Sequence, residues 1–305
     1  MSVIVLLATT LVGLFVPVVD QLPKSMMLTT APVWDGLIKW INVNFFDIIE
    51  FVRVWLLKSI LTPVRDFLLA LPWIAVIAMI GLAGLQLGGR RLAYVVVPMA
   101  LFCAVSSLWS ESIRVVYLVG ISAVLACLMG IPLGIVAARN ETANRILTVI
   151  IDTLQTIPAF VYLIPAVMLL RVGDVAAMVG IILYSITPAI RYTNHGIRNV
   201  SPSLVEAAKV AGCTRRQLLW RVQMPLALHE ILLGINQVVF LALSMDIIAA
   251  MVGTSDLGQE VFKALAKADA GRGIIAGLAV ACIGIVADRL ISAWSGRVKV
   301  RFGFD

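Results

Sequence analysis

The sequence predicts an all-α, polytopic membrane bundle of about eight transmembrane helices with one interfacial amphipathic helix. Three observations carry that prediction. The 305 residues are 61% hydrophobic and 13% charged, with mean hydropathy +1.02, whereas soluble domains run at about 45–50% and about 25%. Apolar stretches near the length that crosses a bilayer, about 20 residues, recur along the chain. Lys and Arg gather in the segments between alternate stretches, which is the positive-inside pattern.

Residues 3–19 form a short, wholly apolar run. No basic region precedes it and no clear small-residue cleavage site follows, which favours a retained span over a signal peptide. Without it the count falls to seven. Over 33–62, Trp34, Ile38, Ile41, Phe45, Ile48, Val52 and Trp55 recur at alternating steps of four and three, with Asp35, Lys39, Asn42, Glu50 and Arg53 off the stripe. This amphipathic helix is too charged to span easily, and two placements fit it: the membrane interface or the edge of the bundle.

Residues 73–87 and 92–108 are a pair joined by Gly88-Gly89-Arg90-Arg91. The run 114–137 contains Pro132, and 146–170 contains Pro158 and Pro165, which break or kink it. Residues 172–190 follow, then a polar loop from Arg191 to about Pro225, then runs 228–252 and 274–291. With the polar loop inside, Arg90, Arg91, Arg139, Arg145, the loop arginines and the basic tail are all inside. Both termini then lie inside, and the evenly charged 20–72 segment falls outside. The domains are a membrane scaffold over 1–109, a core over 110–292 that includes the polar loop at 198–226, and a basic tail over 293–305.

The net charge of +7 comes from topology, not from a polar basic domain, so no nucleic-acid partner is expected. Cys103, Cys127, Cys213 and Cys282 lack metal or redox spacing. His195 and His229 are far apart in sequence and read as loop or helix-end residues. No phosphate-cradling GxxxxGK[ST], HExxH or GxSxG occurs. The chain is therefore expected to bind no cofactor, to hold no metal and to catalyse no reaction.

The polar loop is the informative segment. Pro202 suits the first position of a helix, and Ser203 with Glu206 offers capping-box spacing in an alternative frame. Gly212 suits a left-handed helix end. Thr214 and Gln217 repeat the capping-box spacing, and Met224-Pro225 is expected to end the second helix. The loop is thus a helix–turn–helix hairpin on the cytoplasmic surface.

Glu206-Ala207-Ala208, three residues, Gly212, nine residues and Val222-Gln223-Met224-Pro225 resemble the EAA loop of ABC importer permeases. Val222 and Met224 stand where Ile and Leu are usual. The resemblance extends over about 110–292, to the glycine betaine/proline betaine/choline group, through 152–165 (DTLQTIPAFVYLIP), 223–228 (QMPLAL) and 241–245 (LALSM). It implies a type I permease-like fold in a bacterial inner membrane, working as a homodimer. Two copies of a separate ABC ATPase would bind ATP and dock on Glu206, Ala207, Ala208, Gly212 and Pro225. A separate periplasmic or lipid-anchored binding protein would deliver glycine betaine, choline, proline betaine, carnitine or trimethylamine N-oxide.

The path nominated on this basis comprises Asp246, Ser244, Met245, Pro158, Phe160 and Tyr162. An ionisable group within a span marks a functional site by default, and Asp246 departs from the apolar residue usual after Ser-Met. It fits either a path residue that attracts a cationic amine or a carboxyl satisfied by a neighbouring helix. An aromatic cage for quaternary ammonium belongs, by the same resemblance, to the binding protein. The alternative from another class is an ion-coupled secondary transporter, which calls for several intramembrane charges and inverted repeats.

Overall fold

A computed structural model describes residues 29–301, with side chains through Val298. The apolar run 3–19 and residues 302–305 lie outside the described residues. Among the described residues every regular element is helical. The chain divides into two units, Met1–Phe46 and Asp47–Asp305.

The described part of the first unit is the start of helix α1 (Ala31–Leu56), the amphipathic segment. No residue of α1 is buried, and Trp34 and Phe45 of the stripe are exposed. Trp40 stacks edge-on with Phe45 at 5.8 Å. Phe45 leaves helical geometry (φ −118°, ψ 15°), which bends the helix predicted as continuous.

In the second unit a π-turn at Leu57–Leu61 leads into α2 (Thr62–Ala70). Helix α3 (Trp73–Val105) is a hairpin. Gly89 adopts φ 70°, ψ −164°, open to glycine because it has no Cβ. The chain then folds back on itself. A Cβ on Gly81 would meet Val97 at 3.1 Å, and one on Gly84 would meet Val96 at 3.0 Å and the Ala93 backbone at 3.2 Å. The predicted pair around Gly88-Gly89 is therefore present, its second arm ending at Val105 instead of residue 108.

Helices α4 (Trp109–Arg139), α5 (Glu141–Thr156), α6 (Phe160–Leu170) and α7 (Asp174–Arg198) follow. After α8 (Pro202–Val210) come α9 (Met224–Ala249), α10 (Leu257–Ala266) and α11 (Ala270–Arg301). Among the described residues, five helical runs are long and apolar enough to cross a membrane, six if the bent pair α5/α6 is one span. The first of the five is the folded-back α3. Arg297 of α11 donates to the Leu87 carbonyl at 2.8 Å, which places the basic tip of the α3 hairpin at the same end as the start of the tail.

Within the run 146–170, where the prolines are expected to break or kink the helix, α5 and α6 meet at 98°. The cause is local. Pro158 has no N–H to give the Leu154 carbonyl four residues back, and the Tyr162 hydroxyl donates to that carbonyl instead. Pro165 lies inside α6 without breaking it. The polar loop also starts later than expected, because α7 runs through Arg191 and His195 to Arg198.

The core forms around α7, the most enclosed of the spans. Gly130 and Gly134, four apart on one face of α4, let α7 come close. A Cβ on Gly130 would meet Ala189 Cβ at 2.5 Å, and one on Gly134 would meet Thr193 Cβ at 2.6 Å and the Ile190 carbonyl at 2.7 Å. On its other side α7 meets α9, where a Cβ on Gly234 would meet Tyr192 Cβ at 2.7 Å. Outside the spans, Glu260 of α10 accepts from Lys263 at 3.0 Å and from Arg272 of α11 at 2.7 Å.

Two predictions follow from this packing. Gly134→Leu should lower stability by about 1–3 kcal/mol through overpacking, whereas Gly120→Ala on the same helix, where an added Cβ meets nothing, should not; unfolding in micelles measures both. Burial works against the Glu260 charge, but Lys263 and Arg272 outweigh it and hold the carboxyl below its ordinary 4.5. A lowered folded-state value means the clamp stabilises fully above pH 4.5 and is lost as pH falls through the lowered value. The stability gap between the native chain and Glu260→Gln should therefore be flat above pH 4.5 and shrink in acid.

Candidate functional site

The hairpin between α7 and α9 is built from its ends inward. Ser201 precedes α8 without a side-chain cap, and Pro202 holds the first position. The alternative Ser203/Glu206 capping box does not form; the Ser203 hydroxyl pairs with that of Ser201 at 2.8 Å. With Pro202 starting the helix, Ser203 is already inside it and cannot cap it.

The other end of α8 closes as the sequence predicts. Gly212 N–H donates to the Lys209 carbonyl and Cys213 N–H to that of Ala208, both at 3.0 Å. These are the two bonds of a Schellman motif, and Gly212 is left-handed at φ 79°. Thr214 and Gln217 form the expected capping box.

The helical turn Arg215–Gln217 does not stop at Met224-Pro225. A π-turn at Leu218–Gln223, in which Met224 N–H donates to the Leu219 carbonyl, carries it into α9. Pro225 is thus an early residue of a helix instead of a terminator, a position where its missing N–H is tolerated. Leu219, 2% exposed, packs with Ile197, Ala227 and Ile231 and fixes the returning arm to the bundle.

What α8 offers outward is an apolar ridge beside a carboxylate. Val210 is 90% and Leu204 48% exposed. Glu206 and Ala207 are exposed while Ala208 is buried. The Glu206 carboxylate has no hydrogen-bond or ion-pair partner among the described residues.

The nominated intramembrane residues divide. Asp246 and Met245 lie in the core, at 1% and 0% exposure. Asp246 Oδ1 is buried with no hydrogen-bond partner among the described residues, and α10 packs beside it, since a Cβ on Gly258 would meet the Asp246 carbonyl at 3.1 Å. Tyr162 is buried and braces the α5/α6 break. Ser244, Pro158 and Phe160 are exposed.

Along α9 the exposed positions are Leu233, Gln237, Phe240, Ser244 and Ile247, spaced four, three, four and three. Phe160, Ile164 and Met168 of α6 are exposed too. The two helices adjoin at Gly180 of α7, where an added Cβ would meet both Leu163 and Met245. Gln237 escaped the sequence reading, although a glutamine seven residues before Ser244 in an apolar run marks a polar line two turns long. Asp288 was also passed over. It accepts from the Asn236 amide at 2.7 Å between α11 and α9, and its place beside Arg289 near the end of a span disguised it as a boundary charge.

The hairpin, the span order and the broken α5/α6 pair together describe a membrane permease domain. Residues 130–300 match the family model "Binding-protein-dependent transport system inner membrane component", and the chain belongs to that family. It is 38% identical to the trimethylamine N-oxide transport system permease protein TmoV of Ruegeria pomeroyi, over 97% of this chain and 45% of that protein. It thus spans about half the length of that relative. It is 38% identical to the glycine betaine/carnitine transport permease protein GbuB of Listeria monocytogenes, over 75% of this chain and 82% of the relative. It is 35% identical to the glycine betaine transport system permease protein OpuAB of Bacillus subtilis, over 89% and 95%. An inward-facing structure of the MetNI methionine ABC transporter shares the fold, with TM-score 0.56 and 17% identity over 61% of this chain and 93% of that one.

Gly212→Val should strain α8's end by about 1–2 kcal/mol. Hydrogen exchange at the Cys213 amide, held by the Ala208 carbonyl, should speed up about tenfold.

Proposed function

We propose that the chain is the permease subunit of a binding-protein-dependent ABC importer for a quaternary or methylated amine. The observation that carries the proposal is the hairpin: a nine-residue helix closed by a left-handed Gly212, presenting Leu204, Glu206 and Val210 outward, on an arm continuous with α9. A capped helix on a rigid arm passes on a rigid-body displacement that a slack loop would absorb. Family membership and the substrates in the names of TmoV, GbuB and OpuAB support the importer class and the amine class.

In this proposal two copies of the chain pair, and a separate ATPase subunit docks on each hairpin and hydrolyses ATP. A separate binding protein supplies the substrate from the outer side. The path runs along the exposed faces of α6 and α9, with Ser244, Pro158 and Phe160 from the nominated set, joined by Gln237. Asp246 and Met245 shape the helix behind this face.

Reconstitution in liposomes with the cognate ATPase and binding protein tests the proposal, using uptake of a panel of methylated amines. ATP-driven uptake should fall at least about tenfold for Glu206→Ala and Gly212→Val, while the binding protein's own affinity stays unchanged. Gln237→Leu should alter uptake without loosening the ATPase. Undiminished uptake in the absence of any ATPase would sink the importer reading.

A further inference from the structure

Between the hairpin and the inner ends of α4 and α7 lies a cleft of about 450 Å³. Arg139 and Arg198, the last residues of those two helices, line it with Arg215 of the hairpin's returning arm. Arg198 is occupied: it donates to Glu141 at 2.8 Å and to the Ala137 carbonyl at 3.1 Å. The guanidinium groups of Arg139 and Arg215 have no hydrogen-bond or ion-pair partner among the described residues. No acidic side chain lines the cleft, and the rest of its wall is largely apolar, Val205 and Leu218 among it.

We propose that this cleft binds a phosphate-bearing anion, with Arg139 and Arg215 as its principal ligands and an anionic phospholipid headgroup as the occupant. The fork of a guanidinium matches phosphate oxygens two at a time, and two such forks with no counter-charge face one cavity. Two observations favour a lipid over soluble phosphate. The cleft sits where α4 and α7, both long and apolar enough to cross a membrane, end among basic residues, and basic pockets between spans take anionic headgroups. Its apolar wall suits the glycerol and first methylenes of a lipid and offers nothing to a bare phosphate. An occupant would tie α8, through Val205, to the ends of α4 and α7. The site stands on its own geometry, whether or not the hairpin docks on an ATPase.

The test uses the full chain in non-ionic detergent, offered phosphatidylglycerol, phosphatidylcholine or inorganic phosphate, with bound ligand counted by native mass spectrometry. Phosphatidylglycerol should be retained and phosphatidylcholine lost. The double variant Arg139→Gln/Arg215→Gln should retain roughly tenfold less phosphatidylglycerol, while Arg216→Gln, off the cleft, should match the native chain. Raising salt from about 0.01 to about 0.15 M should weaken retention in the native chain. Should the double variant not fold, Arg139→Lys/Arg215→Lys, which keeps charge without the fork, should show an intermediate loss. Equal retention of the two lipids, or undiminished retention in a folded double variant, would overturn the proposal. Displacement of the lipid by inorganic phosphate at equal concentration would overturn the lipid assignment.

Discussion

Helices in lipid gain little by hiding apolar surface from one another, because the solvent is itself hydrocarbon; association rests on close packing and shared polar contacts. The bundle accordingly depends on how near α7 can come to α4 and α9. Gly130 and Gly134 on α4 and Gly234 on α9 supply the room, each at a place where a single Cβ would already collide. That approach fixes the inner ends of α4 and α7, on which the hairpin stands. It also fixes the place of α9, whose outward face carries Gln237 and Ser244.

The continuity of α9 with the hairpin matters as much as its packing. The helical run Arg215–Val252 is 38 residues long, about 57 Å at the rise of an α-helix. Pro225 would ordinarily interrupt such a rod. The π-turn before it absorbs the missing donor, as the π-turn at Leu57–Leu61 does ahead of Pro63. A push on the returning arm therefore reaches the level of Ser244 through helix alone. The α5/α6 break works the other way, because Pro158 turns the chain by 98° and Tyr162 makes the turn a fixed corner instead of a hinge.

Much of this was legible from residue types with strong local meaning. Gly88-Gly89 announced a reversal, Gly212 a left-handed helix end, and Thr214 with Gln217 a cap, because each of these depends on neighbours a few residues away. The misread Pro225, and the alternatives left open at Ser203 and Pro158, share a cause: a local signal has several outcomes that tertiary context decides. Pro225 marks a helix start as well as a stop, Ser203 lost its cap once Pro202 began the helix, and Pro158 produced a sharp corner where a kinked span was equally consistent with sequence. Whether an intramembrane polar residue faces the core or the surface is likewise a matter of helix rotation. The sequence signalled Asp246 as an ionisable residue, yet its carboxyl group is turned inward, while Gln237 faces out.

That division bears on how an importer of this kind would select. A permease whose outward α9 face carries only an amide and a hydroxyl among apolar side chains can offer a translocating solute a few weak hydrogen bonds and no fixed counter-charge. A solute moves on quickly only if it is bound loosely enough to leave. A full carboxylate on that face would hold a quaternary ammonium strongly and slow its release, so burying Asp246 behind the face keeps the proposed path shallow in energy. In the proposed importer, tight recognition then falls to the separate binding protein, and this chain would discriminate only by size and by what its polar line tolerates.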